Sequence, residues 1–147
     1  MRSILVGIGN PNFTDDGVGL KIAEFFENTV DTAFLMNTDF KVLDSILGYD
    51  RAVIVDGVKS GAQPGSIIEI DPDKTFSDVY ASGTHNITLF EVIRLGRTLF
   101  PDEMPKEIRI IGVEVEDILT LDRECTEKVR EAIPQVVRII KEYLEVK

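Results

Sequence analysis

Three side chains in this sequence have the types and positions to share a cation: Asp16, Asp56 and His85, the last being the only histidine in the chain. Two carboxylates and one imidazole nitrogen make a three-ligand set with open positions. Such a set suits a borderline divalent ion such as nickel or zinc, at bond lengths of about 2.0–2.2 Å. Asp16 lies in Gly7-Ile8-Gly9-Asn10-Pro11-Asn12-Phe13-Thr14-Asp15-Asp16-Gly17-Val18-Gly19, directly after the apolar run Ser3-Ile4-Leu5-Val6. Asp56 follows a second apolar run, Arg51-Ala52-Val53-Ile54-Val55, and His85 follows Ala81-Ser82-Gly83-Thr84 ahead of a helical pattern. If the two apolar runs are neighbouring strands of a parallel sheet, their ends share one edge. Residues about 30–40 apart in sequence then meet where open α/β sheets bind ligands.

Taken singly, each residue also has an ordinary explanation. Asp15 and Asp16 suit the start of the following helix, whose dipole favours acid. Asp56 before Gly57 suits a turn, and His85 suits a helix start. Their joint placement is what points to a site.

The elements that must position these residues follow from periodicity. Ser3–Val6 and Arg51–Val55 are short continuous apolar runs, as expected of buried parallel strands. Gly17–Glu27 carries a broad apolar stripe at Val18, Leu20, Ile22, Ala23, Phe25 and Phe26, which predicts a helix. Thr32–Met36 reads as a strand, Lys41–Tyr49 as a short helix, and Ser66–Ile70 as an edge or antiparallel strand after the turn cluster Gly61–Gly65. Asn86–Leu99 predicts a helix with Thr84 in its N-cap region, and Glu107–Val115 the last strand. Arg123–Glu145 predicts a long helix that Pro134 is expected to bend. The alternation of strand and helix predicts an α/β fold: a three-layer α/β/α sandwich whose sheet is mostly parallel with one antiparallel edge strand. The 147 residues are expected to form one domain.

Composition narrows the partners. The net charge of −10, from 26 acidic and 16 basic residues, disfavours nucleic acid and anionic lipid. No run reaches the ~18 apolar residues of a membrane span. A core strand beginning at Ser3 leads us to expect no signal peptide. The single cysteine, Cys125, rules out an internal disulfide and fits a cytoplasmic protein. Its charged surroundings, Asp122-Arg123-Glu124-Cys125-Thr126-Glu127, would raise rather than lower its pKa, so it reads as a structural or incidental thiol in a helical stretch.

Several familiar chemistries find no support. The chain has neither a His-Glu-x-x-His pair nor a Gly-x-Ser-x-Gly elbow. Gly7-Ile8-Gly9 opens like a dinucleotide fingerprint, but Asn12 replaces the third glycine and two aspartates would face the pyrophosphate. A phosphoacceptor receiver domain also gathers acids around a cation. Here a glycine-rich loop separates strand from acids, and Ile110–Glu116 lacks the lysine such a domain needs.

The chain resembles the endopeptidases that mature the large subunit of [NiFe] hydrogenases. Their opening pattern is Gly-x-Gly-Asn, four residues, then Asp-Asp/Glu-Gly-x-Gly; Gly7, Gly9, Asn10, Asp15, Asp16, Gly17 and Gly19 match it in order and spacing. An apolar strand ending in Asp, then a loop with Pro-Gly, is matched by Val53–Asp56 and Pro64-Gly65. A Ser/Thr-x-His segment before a helix is matched at Gly83-Thr84-His85-Asn86.

The resemblance implies an enzyme that removes a C-terminal extension from the hydrogenase large-subunit precursor once nickel has been inserted. It carries metal-binding and catalytic roles over to Asp16, Asp56 and His85. The metal it implies is the nickel of the substrate, for which zinc or another divalent ion could substitute. The implied partner is that precursor, engaged by a monomer. A non-proteolytic nickel- or hydrogenase-binding accessory module is the alternative. Two segments depart from the family: Met36-Asn37-Thr38-Asp39-Phe40 replaces a glycine-rich loop, and Glu114-Val115-Glu116 stands where relatives have Gln-Pro. These departures bear on which hydrogenase is processed and how the precursor docks.

Overall fold

The computed structural model describes residues 1–74 and 88–147. Five strands form one sheet: β1 (Ser3–Ile8), β2 (Asp31–Leu35), β3 (Arg51–Val58), β4 (Ile67–Ile70) and β5 (Glu107–Glu114). Their spatial order is β2-β1-β3-β5-β4. The β1–β2, β1–β3 and β3–β5 pairs are parallel and β4 is antiparallel to β5, so the antiparallel edge strand is as expected. Helices α1 (Val18–Glu24), α2 (Lys41–Ile46), α3 (Leu89–Leu99) and α4 (Glu127–Leu144) complete the described elements, with a 3-10 turn at Thr14–Gly17.

The period-2 alternation of the strands splits the core in two. Leu5, Val53, Val55, Ile111 and Val113 face α1 and α4, where they meet Val18, Ile22, Val129 and Val136. Ile4, Val6, Ile54, Ile108 and Ile110 face α2 and α3, where they meet Val42, Ile46, Leu89 and Ile93. A sheet covered on both faces explains why its strands read as continuous apolar runs. The result is the three-layer α/β/α sandwich.

Element ends differ from expectation where tertiary contacts set them. β3 continues through Asp56 and Gly57 to Val58, because β5 supplies ladder partners as far as Val58↔Glu114; Asp56 is a strand residue, not a turn residue. The helix expected from Asn86 begins at Leu89 among the described residues, with Thr88 as its N-cap. Thr88 Oγ1 accepts from Glu91 N–H and Glu91 Oε2 from Thr88 N–H, a reciprocal capping box that satisfies two otherwise orphan donors. Thr84, expected at that cap, lies outside the described residues. The last helix starts at Glu127 rather than Arg123 and runs as one helix through Pro134. Cys125 is therefore outside it, in the preceding connection.

Candidate active site

β1 leads through α1 to β2 on one side of the sheet, whereas β3 leads to β4 and β5 on the other. The strand order thus reverses between β1 and β3. In open α/β sheets the crevice outside the carboxyl ends at such a switch point is the ligand site. The β1–β3 ladder ends at Gly7↔Val55, one residue before Asp56. Asp56 continues the alternation of Ala52 and Ile54, which places it on the α2/α3 face of the carboxyl edge. Asp56 is buried there.

Asp16 reaches the same crevice from the loop after β1. Gly9 has φ +149°, and a Cβ there would lie 1.9 Å from the Asp16 carbonyl oxygen, so only glycine lets the chain fold back this closely. The Asp16 N–H donates to the Phe13 carbonyl at 2.9 Å, and the Asn10 N–H donates to Asp16 Oδ2 at 2.9 Å. That second bond leaves Oδ1 without a donor among the described residues. Gly19 then seats the first turn of α1 on the strand ends, since a Cβ there would come within 2.5 Å of the Val55 oxygen and 2.7 Å of the Ile8 oxygen.

The two carboxylates sense each other. Burial pushes the Asp56 carboxyl well above its usual range, the negative charge of Asp16 pushes it further, and the Gly57 N–H opposes both. A proton or a cation is what such a pair lacks. Oxygen donors of this kind fit a divalent ion. Among the described residues, no group of three His, Cys, Asp or Glu side chains comes together to hold a metal. His85 lies outside the described residues. To feed β5 in parallel with β3, α3 must run against the strands, so Thr88 and Leu89 stand at the carboxyl edge on the face of Asp56. His85 precedes Leu89 by four positions in sequence.

Asp15 does not cap α1. It is fully buried and accepts hydrogen bonds from the N–H groups of Glu116, Asp117 and Thr126 and from Thr126 Oγ1. It therefore points away from the cleft, into the connection between β5 and α4. Glu114 is a second buried acid that the sequence did not single out as a site residue. It accepts from the N–H groups of Ser60 and Gly61 and from Ser60 Oγ, tying the loop after β3 to the end of β5. A signal for it was present: Glu114 is an acid inside the apolar run Ile110–Val115, two positions from Gly112, the ladder partner of Asp56. Cys125 is buried in the α1/α4 core with its thiol pushed up to about 11, chiefly by burial, so it is no nucleophile at neutral pH.

The model of the hydrogenase maturation protease family (HycI) matches residues 37–143, a span that contains Asp56 and His85. Relatives at low identity span nearly the whole chain. The hydrogenase expression/formation protein HupD of Rhizobium leguminosarum bv. viciae is 24% identical over 148 residues, covering 92% of this chain and 70% of its own length. The hydrogenase 2 maturation protease of Escherichia coli (strain K12) is 23% identical over 153 residues, covering 97% of this chain and 92% of its own. Among solved structures, the [NiFe] hydrogenase maturation protease HybD from Thermococcus kodakarensis superposes with a TM-score of 0.80 at 23% identity, over 97% of this chain and 99% of that one. The [NiFe] hydrogenase maturation protease HycI from Thermococcus kodakarensis KOD1 gives 0.72 at 26% identity, over 98% and 92%. With more than two thirds of its length matched by the family model and the same fold throughout, the chain belongs to the hydrogenase maturation protease family, a family of peptidases.

Proposed function

We propose that this peptidase removes the C-terminal extension of a [NiFe]-hydrogenase large-subunit precursor after nickel insertion, with Asp16, Asp56 and His85 reading the nickel that the substrate carries. The observation that carries the reading is the electrostatic pairing of Asp16 with a buried Asp56 at the strand-order switch point. A buried carboxyl whose ionisation is made costlier by a neighbouring acid is an incomplete site. A cation delivered by the substrate completes it, because its charge offsets both the burial of Asp56 and its repulsion from Asp16.

Nickel in this reading belongs to the substrate. A half-site of this kind engages only a precursor whose own half holds the ion, which makes cleavage conditional on loading. Peptide hydrolysis then requires a water to lose a proton as it attacks the carbonyl, and the departing amine to gain one. A carboxyl such as Asp56, raised by burial and by the charge of Asp16, is suited to exchange protons near neutral pH.

The test is to incubate the protein with nickel-loaded and nickel-free precursor and follow the released peptide by mass. Release from the loaded precursor only, abolished in Asp16→Asn, Asp56→Asn and His85→Ala with the fold retained, is the expected result. Equal cleavage of both precursors would refute nickel reading. Stable binding without release from any precursor would favour the accessory-module alternative.

A further inference from the structure

The turn that presents Asp16 is strained and gripped from one side. Thr14 has φ +46°, a left-handed conformation that a β-branched residue rarely adopts. The long-range bonds that hold it there come from the segment between β5 and α4: Thr14 N–H donates to the Asp122 oxygen at 2.8 Å and Thr14 Oγ1 to the Thr120 oxygen at 2.6 Å. The Asp122 N–H in turn donates to the Asn12 oxygen at 3.0 Å. Asp15 is the centre of this grip. Its carboxylate receives Glu116 N–H at 2.9 Å, Asp117 N–H at 3.0 Å, Thr126 N–H at 2.7 Å and Thr126 Oγ1 at 2.8 Å, while its own N–H donates to the Asp117 oxygen at 2.9 Å. Strain that the surroundings over-determine marks a functional turn rather than a neutral one.

Thr14–Gly17 is a 3-10 turn, in which successive side chains project about a third of a turn apart. Fixing the direction of Asp15 therefore fixes that of Asp16. We propose that Asp15 is a positioning residue for Asp16: it clamps the strained turn to the β5–α4 connection, so that the Asp16 carboxylate stands ready towards Asp56. The inference rests on the reading of Asp16 given under Proposed function. Outer partners of this kind typically change metal affinity or activity by about 10–100-fold when removed.

Asp15→Asn replaces an acceptor with a donor facing N–H groups. Thr126→Val removes only one hydroxyl donor and keeps the backbone bond, so it reports even where Asp15→Asn fails to fold. Ile140→Ala, in the core of α4, loosens packing without touching the clamp. Steady-state cleavage of nickel-loaded precursor and calorimetric titration with Ni²⁺ alone are compared below the unfolding temperature of each variant.

Asp15→Asn is expected to lower kcat about 10–100-fold with KM for the precursor within about twofold, and to weaken Ni²⁺ binding about tenfold. Thr126→Val is expected to show a smaller loss of the same kind that is absorbed in the double variant. Ile140→Ala is expected to lower Tm alone. Wild-type kcat and Ni²⁺ affinity in Asp15→Asn, or in Thr126→Val if Asp15→Asn does not fold, would overturn the inference, as would an equal kinetic loss in Ile140→Ala. A silent Asp15→Asn beside an inactive Asp16→Asn overturns the positioning role alone. An Asp16→Asn that keeps cleavage and Ni²⁺ affinity overturns the reading of Asp16 as well.

Discussion

Two buried aspartates in this chain, Asp15 and Asp56, have opposite tasks, and environment alone separates them. Asp15 is satisfied by three N–H groups and a hydroxyl, so its burial costs little and it acts as a structural anion. Asp56 is buried beside another acid, so it carries a cost that only a proton or a cation removes. The sign of its pH dependence follows. Between the ordinary carboxylate pKa and the raised folded value, the native state holds a proton that the unfolded state has lost, so stability falls as pH rises through that window. Asp56→Asn is neutral and nearly isosteric. In the presence of a chelator it is expected to raise Tm at pH 7.5, by about 2–4 °C for each kcal/mol relieved in a chain of this size. The gap should close as the pH is lowered towards 4. Thermal scans across that range check it, and a lower Tm at pH 7.5 would contradict the account of Asp56 as a strained group kept for function.

At the scale of elements, β5 is the organiser of the site although it contributes no ligand. Its ladder with β3 carries the strand past Asp56, its Glu114 holds the loop after β3, and the connection that follows it grips the Asp16 turn. Both segments where this sequence departs from its family border the carboxyl edge, and the structure explains one of them. Glu114, where the resemblance leads one to expect Gln-Pro, is committed to Ser60 and Gly61, so the departure there shapes a loop rather than the carboxylate pair. The start of α3 matters for a related reason, because it leads out of the segment that contains His85. Thr88→Ala removes one side of the capping box. It is expected to cost about 1 kcal/mol and lower Tm by about 2–4 °C. Differential scanning calorimetry decides this, and an unchanged Tm would show that the cap contributes nothing to this helix.

For the whole molecule, the two-faced sheet separates stability from chemistry. Cys125 is buried within the α1/α4 layer of the core. With its thiol near 11, alkylation at pH 8 is expected only when that layer opens, so the labelling rate of native protein should follow global unfolding under increasing urea. Rapid labelling without denaturant would show the layer to be open. Because the folded thiol titrates above the unfolded one, it also lowers stability as pH rises from about 9 towards 11. No described helix is long and apolar enough to cross a membrane.

The sequence by itself determined the class of fold, the antiparallel edge strand and the candidate site residues, because these depend on local rules. Apolar runs of strand length, helical stripes and glycine-bounded loops are written in consecutive residues, and three short motifs in order are together specific enough to point to a family. Only the tertiary structure decided what the adjacent Asp15 does, which the sequence read as suiting a helix start, since the outcome depends on donors more than a hundred residues away in Glu116, Asp117 and Thr126. It likewise decided that Asp56 is a strand residue, through ladder partners in β5, and that Glu114 fastens a loop. Such facts are relations between distant segments, and a single stretch of chain holds no physical record of the partner that will satisfy it.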